Sequence, residues 1–185
     1  FFCSEDLIST IFYRGAFTAS DVINSSYSLM AFSFGLPFFM LMKVLTPAFF
    51  ARKDTKTPMY VALISLIINA VLNYYLAFIL NYGHVGIAVG SSIAAIVSVC
   101  ILEIVLYRDG LIKIKNIFNK FNLNIVTSSL FIIVFLYFYT SNINFIEISQ
   151  SERIVFLLIE VIVSIIIYFA ISRLILKKPI RFLFD

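Results

Sequence analysis

Few residues in this sequence could do chemistry, and they lie in unusual company. Ser65, Asn69 and Asn73 recur at i, i+4 and i+8 within an otherwise apolar stretch, which puts them on one face of a helix. Two amides one turn apart present oxygens that could coordinate a cation, or the same groups could hydrogen-bond a neighbouring helix. Ser91 and Ser92 lie in the next apolar stretch and could face those amides. Glu160 is flanked by Leu157, Leu158, Ile159 and Val161. It could line a groove, pair with another helix or carry a proton. Lys43 and Glu103 lie close enough to the ends of their apolar runs to reach water along their stems. The single histidine, His84, sits in a short connection and reads as solvated. Cys3 and Cys100 are too far apart for a disulfide framework or a metal spacing. No Ser-His-Asp arrangement, Gly-rich phosphate loop or paired-carboxylate motif occurs, so the sequence reads as neither an enzyme nor a metal centre.

The elements that must hold these residues are membrane helices. Of 185 residues, 62% are hydrophobic and 13% charged, and the mean hydropathy is +1.03. A soluble domain of this size leaves roughly a third of its unfolded surface in water, and this composition has too little polar side chain to cover it. A soluble enzyme, a nucleic-acid module and a disordered chain are therefore excluded. Unbroken apolar runs, rather than alternation, exclude a barrel. Five stretches approach the ~20 residues that cross a bilayer: 22–50, 59–80, 85–107, 123–140 and 154–176. The expected fold class is all-α and polytopic. The first span is long enough to require tilt or a bend near Gly35-Leu36-Pro37. Residues 6–13 read as an interfacial helix or the end of an earlier span. The first residue is Phe1 rather than Met, so a piece of a longer protein is expected.

Charge gives the orientation. Arg52, Lys53 and Lys56 follow the first span, Arg108, Lys113, Lys115 and Lys120 the third, and Arg173, Lys177, Lys178 and Arg181 close the chain. These eleven fall on one side, against Arg14 and Arg153 on the other. The excess marks the cytoplasmic side. It accounts for the net charge of +4 through membrane topology and lipid phosphates, with no nucleic acid as partner. The segment 109–122 reads as an amphipathic cytoplasmic helix or an inert connector. In the third span Gly86, Gly90, Ala94 and Ser98 follow one another at i+4, a small-residue face on which another helix can pack closely.

The most specific text lies mainly at the span ends. Tyr13-Arg14-Gly15-Ala16-Phe17-Thr18, Gly35-Leu36-Pro37, Lys43-Val44-Leu45 and Ala48-Phe49-Phe50-Ala51-Arg52-Lys53-Asp54-Thr55-Lys56-Thr57-Pro58 resemble the MurJ (MviN) family of lipid II flippases in the MOP exporter superfamily. Phe50 stands where that family usually has tyrosine. Gly86-Ile87-Ala88-Val89-Gly90-Ser91-Ser92 is similar to the family's "GIALATS" stretch. The resemblance runs over residues 11–107 and thereafter rests on span number and topology. It implies a fourteen-helix fold of two lobes with cytoplasmic termini, of which this chain would supply helices ten to fourteen.

On that reading residues 1–21 form a periplasmic or interfacial segment and 22–107 the helices of the C-terminal lobe. Residues 108–122 are a cytoplasmic connector, 123–176 a final helix pair and 177–185 a cytoplasmic tail. The resemblance implies transport of lipid II, an undecaprenyl-linked peptidoglycan precursor, by alternating access in the bacterial cytoplasmic (inner) membrane. That role belongs to cell wall biogenesis and cell shape. The partners would be lipid II, membrane lipids and the missing N-terminal lobe, whose arginines bind the pyrophosphate. The final pair would form a groove for the lipid tail. A sodium site of some members carries over to Asn69, Asn73, Ser91 and the carbonyl of Ile87, with Asn73 standing where those members have Asp. The loss of a carboxylate weakens the case for Na+, and no other cofactor is implied. Two other readings stay open: an exporter of another substrate in the same superfamily, and a non-transporting membrane scaffold fragment packed through Gly86 and Gly90. The charge asymmetry predicts that a cysteine placed at position 54 of the intact protein resists a membrane-impermeant thiol reagent added to whole cells. One at position 83 should react, and the reverse pattern would invert the topology.

Overall fold

A computed structural model describes residues 1–111, 120–141, 143, 145–146 and 148–176. Among them there is no strand. Six α-helices follow in order: α1 Ser4–Phe12, α2 Ala19–Ala51, α3 Lys56–Tyr74, α4 Gly83–Arg108, α5 Lys120–Thr140 and α6 Gln150–Leu176. A π-helical turn, Tyr75–Ile79, ends α3. By length and composition α2, α3 with its π-turn, α4 and α6 can each cross a membrane, and α5 adds a shorter apolar stretch, Ile125–Thr140. The helices outrun the spans read from hydropathy, because capping turns add polar residues at their ends. The residues 112–119 of the expected amphipathic connector and the 177–185 tail lie outside the described residues.

Local chemistry sets these ends. Thr18 and Asp21 close a capping box at the start of α2, with the Thr18 N–H donating to Asp21 Oδ2 at 2.9 Å and the Asp21 N–H to Thr18 Oγ1 at 3.4 Å. Ser149 and Glu152 repeat the device before α6, at 2.9 and 3.4 Å. Such boxes satisfy N–H groups that a helix start leaves unpaired. At the far end of α2 the Asp54 N–H reaches back to the Phe49 carbonyl and the Lys53 N–H to that of Phe50, at 3.0 and 2.9 Å. This is a Schellman turn with Lys53 at φ 59°, a place glycine usually fills. α4 ends the same way with Gly110 at φ 72°. Helix α2 runs unbroken through Pro37 and Pro47, although each proline removes one main-chain donor.

The helices pack as two compact units. One is carried by α2 from Ile23, α3 and α4, and the other by residues 2–22 with α5 and α6. In the first unit α3 and α4 form an antiparallel hairpin, and α4 is the element it is built on. Half of the most apolar stretch of α4 is buried, against none of that of α3. Towards its C-terminal end α4 contributes Leu102 and Leu106 to an apolar cluster with Phe49 of α2 and Val61 of α3. From Gly86 to Ser98 the buried residues are small: Gly86, Ala88, Gly90, Ser92, Ala94, Ala95 and Ser98. Main chain meets main chain there. A Cβ on Gly86 would stand 2.7 Å from the Leu76 carbonyl carbon and 2.9 Å from the Ala77 nitrogen. One on Gly90 would stand 3.3 Å from both the Asn73 nitrogen and the Leu72 Cβ, and would run into the Asn73 side chain. From the other side Gly35 of α2 lies against Ser92, whose Cβ and Cα are 2.8 and 3.0 Å from where a side chain would begin. The backbone at Leu76 and Ala77 belongs to the π-turn, so the bulge and Gly86 fit each other.

In the second unit α5 and α6 make another hairpin, and α1 packs on α6. The Tyr139 hydroxyl donates to the Phe156 carbonyl at 3.1 Å. Gly86→Ala and Gly90→Leu should each lower the stability of the full-length protein by about 1–3 kcal/mol, the usual cost of overpacking a close contact. Ala70→Leu, on an exposed position of α3, should leave it unchanged. Thermal unfolding in detergent separates the two classes.

Candidate functional site

The antiparallel pairing of α3 with α4 turns the spacing of Ser65, Asn69 and Asn73 into a line of contacts. Ser65 donates to the Ala94 carbonyl at 3.4 Å. Asn69 donates from Nδ2 to Ser91 Oγ at 3.1 Å. The Asn73 amide has two settings. In one its Nδ2 donates to Asn69 Oδ1 at 2.7 Å. In the other it donates to the main-chain carbonyls of Ile87 at 3.2 Å and Asn69 at 3.3 Å. Asn69, Asn73, Ser91 and the Ile87 carbonyl thus meet in one half-buried cluster between the two helices. Gly90 makes room for it, because any side chain there would strike the Asn73 amide. Ser92 does not join. It turns towards α2 and donates to the Ala31 carbonyl at 2.7 Å. Gly86, Gly90, Ala94 and Ser98 are all buried, and Ser98 returns its hydroxyl to Ala94 of its own helix at 2.8 Å.

The chemistry open to this cluster is limited. It offers neutral amide, hydroxyl and carbonyl oxygens, and among the described residues no carboxylate takes part in its hydrogen bonds. Among the described residues no group of three or more His, Cys, Asp or Glu is placed to hold a metal ion. His84 and Cys100 are exposed. Lys43 and Glu103 are exposed as well.

The loop from Arg52 to Pro58 owes its sequence to the turn it makes. Lys53 takes the left-handed position that ends α2. Asp54 Oδ1 accepts from the N–H groups of Lys56 and Thr57, at 3.1 Å each. Thr57, through its hydroxyl first and its N–H second, holds the Asp54 carboxyl below the usual carboxylate range. Pro58 lies in the first turn of α3, where its missing N–H removes no helical bond. Arg52 reaches Asp109, just past α4, at 2.7 Å. The pair is about 40% exposed, and surface pairs of this kind contribute about 0–1 kcal/mol. The ion pair and the Schellman turns were not apparent from the sequence. Gly110 after the last apolar residue of the span was the one available cue.

In the second unit Glu160 is 1% exposed. Its sequence position left open a groove, pairing with another helix or protonation; in the structure its carboxylate is enclosed where α1 packs on α6. Asp6 and Arg153 are also buried there, at 5% and 6%; sequence reasoning gave Asp6 no role and Arg153 only a place among the charges of the outer side. Arg153 lies over the Tyr13 ring at 4.6 Å. It donates from Nη1 to the Tyr13 carbonyl at 3.3 Å and from Nη2 to the Ile146 carbonyl at 3.0 Å. A shallow apolar hollow of about 430 Å³, lined by Phe135, Phe138, Tyr139 and Ile143, opens on α5 and the residues after it.

Comparison with known proteins supplies the context. The family model described as "Lipid II flippase MurJ" matches residues 1–171. The lipid II flippase MurJ of Thermosipho africanus is 31% identical over 180 residues, covering 97% of this chain and 34% of its own length. The probable lipid II flippase MurJ of Rickettsia prowazekii is 48% identical over 92 residues, covering 50% of this chain and 18% of its own length. A solved structure, "Lipid II flippase MurJ, inward closed conformation", superposes with a TM-score of 0.71 at 28% identity, over 95% of this chain and 34% of that one. The chain therefore spans about a third or less of the length of these relatives. The cluster geometry predicts that Ser91→Ala costs about 0.6 kcal/mol, the average for an interhelical hydrogen bond in a membrane. Asn69→Leu should cost more, because it strands Ser91 and removes the Asn73 side-chain partner together. Denaturant unfolding of the full-length protein in mixed micelles would measure both.

Proposed function

Because the chain belongs to the lipid II flippase MurJ family, matched over residues 1–171, we propose that it forms the C-terminal part of a lipid II flippase of the bacterial inner membrane. The match extends through α5 and into α6, beyond the signature stretches at 11–107, and that extent carries the reading. The protein moves its lipid-linked substrate by alternating access, breaking no bond. Its C-terminus and the Arg52–Lys56 loop are cytoplasmic. The three-helix unit built on α4 moves as one body, because main-chain contacts at Gly35, Gly86 and Gly90 leave no side chains free to slide. The apolar hollow at Phe135, Phe138, Tyr139 and Ile143 is suited to an isoprenoid chain. The headgroup is bound by residues outside this chain.

The Asn69–Asn73–Ser91 cluster acts as interhelical glue and not as a sodium site. Each amide has a protein partner, and the missing carboxylate removes the charge that would favour a hard cation. The test depletes the native protein from its own bacterium and supplies the full-length protein or a variant. Lipid II exposed on the outer leaflet is then measured with an externally added lipid II-degrading enzyme. Exposure should fall on depletion and return with the native protein, and persistence of outer-leaflet lipid II through depletion would refute the reading. In the purified protein sodium should leave thermal stability unchanged, and Asn73→Asp should destabilise it in the absence of sodium. Strong sodium stabilisation of the native protein, lost in Asn73→Leu, would establish a cation site instead, through the linkage between binding and stability.

A further inference from the structure

The second unit holds a charge problem that flippase action does not explain. Asp6 of α1 and Glu160 of α6 are almost wholly enclosed, at 5% and 1% exposure. Both oxygens of Glu160 and Oδ2 of Asp6 are buried without a hydrogen bond of ordinary geometry, and the group directed at Glu160 is the Cys3 thiol, a weak donor. The hydroxyls beside Asp6 do not serve its carboxylate. Ser9 and Thr10 donate instead to its main-chain carbonyl, at 3.0 and 2.6 Å. The cation nearest in sequence to Glu160, Arg153 two turns earlier, turns both terminal nitrogens to carbonyls and its plane to the Tyr13 ring, and its Nε is buried without a partner, so no nitrogen of it is bonded to either acid.

The other groups that act on this pair electrostatically come from every element around it. Cys3 precedes α1 and Glu5 lies on it, and Tyr139 comes from α5. Tyr139 gives its own proton to the Phe156 carbonyl. No arginine or lysine among them neutralises the two acids.

Two enclosed carboxylates on helices that pack together, with no cation bonded to either, are costly to keep ionised in a low-dielectric interior. At bilayer depth the penalty on an unpaired charge is larger still. A proton on either acid removes its charge without a metal. We propose that Asp6 and Glu160 form a proton-binding site that is filled when α1 packs on α6 and empties when α1 withdraws. The proton comes from water and returns to it. An O–H bond forms on one carboxylate as the pair closes and breaks as it opens. Packing of α1 and proton uptake are then two readings of one equilibrium, so each biases the other to the same extent. The site does not depend on what the protein transports.

Infrared spectroscopy of the full-length protein in lipid nanodiscs tests this directly. A protonated-carboxyl C=O band should be present while α1 is packed. It should fade as the pH is raised, and should be lost or shifted in Glu160→Gln and in Asp6→Asn. Spin labels at the exposed positions Ile11 and Leu158 report the packing of α1 on α6. Their separation should grow with pH in the native background and stay short in Glu160→Gln, which mimics the protonated acid. Absence of the band at every pH at which the protein is folded would overturn the proposal. So would a separation that does not change with pH in the native background, which needs no variant to fold. Because neither readout involves lipid II, failure here leaves the flippase reading standing, and failure of that reading leaves the proton site to be judged alone.

Discussion

The first unit depends on how closely main chains can approach α4. In a bilayer the lipid tails are as apolar as leucine, so helices gain little by merely hiding apolar side chains from each other. What remains is dispersion, which falls off within an ångström, and the few hydrogen bonds that close approach permits. Gly86 and Gly90 let the end of α3 touch α4 backbone to backbone, and Gly35 lets α2 come down on Ser92. The polar contacts follow from that proximity. Ser92 can reach the Ala31 carbonyl, and Asn69 can reach Ser91, only because nothing larger than a hydrogen atom stands between the chains.

Fold class and span order could be read from the sequence because the bilayer imposes a simple rule: a run of apolar residues long enough to cross it becomes a helix. The Asn69–Asn73 and Gly86–Gly90 faces were legible for a related reason, since i+4 spacing needs only local geometry. The contacts missed are those that need tertiary information. Gly35 read only as part of a stretch where the span would tilt or bend, and nothing in the sequence showed that it also makes room for Ser92. The π-turn at Tyr75–Ile79 carries no signal of its own, as it exists to fit Gly86. Asp6 sits in a nine-residue helix that looked interfacial, and only its packing on α6 buries it. Arg153 read as one of two basic residues on the outer side, but it is buried and bound to carbonyls.

The Arg52–Pro58 loop shows how a family signature can have a structural cause. Each residue answers a need of the turn between two antiparallel helices: Lys53 the left-handed position, Asp54 the unpaired N–H groups of α3, Pro58 the stiff first turn. Arg52 then ties that turn to the end of α4 through Asp109. The ends of α2 and α4 on this side are closed by the same backbone device. The tight turns therefore set where the helices stop, independently of any ligand.

The two polar sites of the chain solve the same problem in opposite ways. An asparagine brings its own donor and acceptor, so Asn69 meets Ser91, and Asn73 meets either the Asn69 side chain or main-chain carbonyls, without help from outside. An aspartate at position 73 would have the same shape but no N–H. It would face the Ile87 carbonyl and the Asn69 oxygen with nothing to offer them, and the cluster would need a cation to hold it together. On our reading, the amide at 73 replaces that ion with a covalently attached donor, which makes the hairpin of α3 and α4 insensitive to what the solution contains. Asp6 and Glu160 bring no donor of their own while ionised. On our proposal a proton from outside relieves them, which would leave the packing of α1 on α6 open to the solution in a way that the packing of α3 on α4 is not.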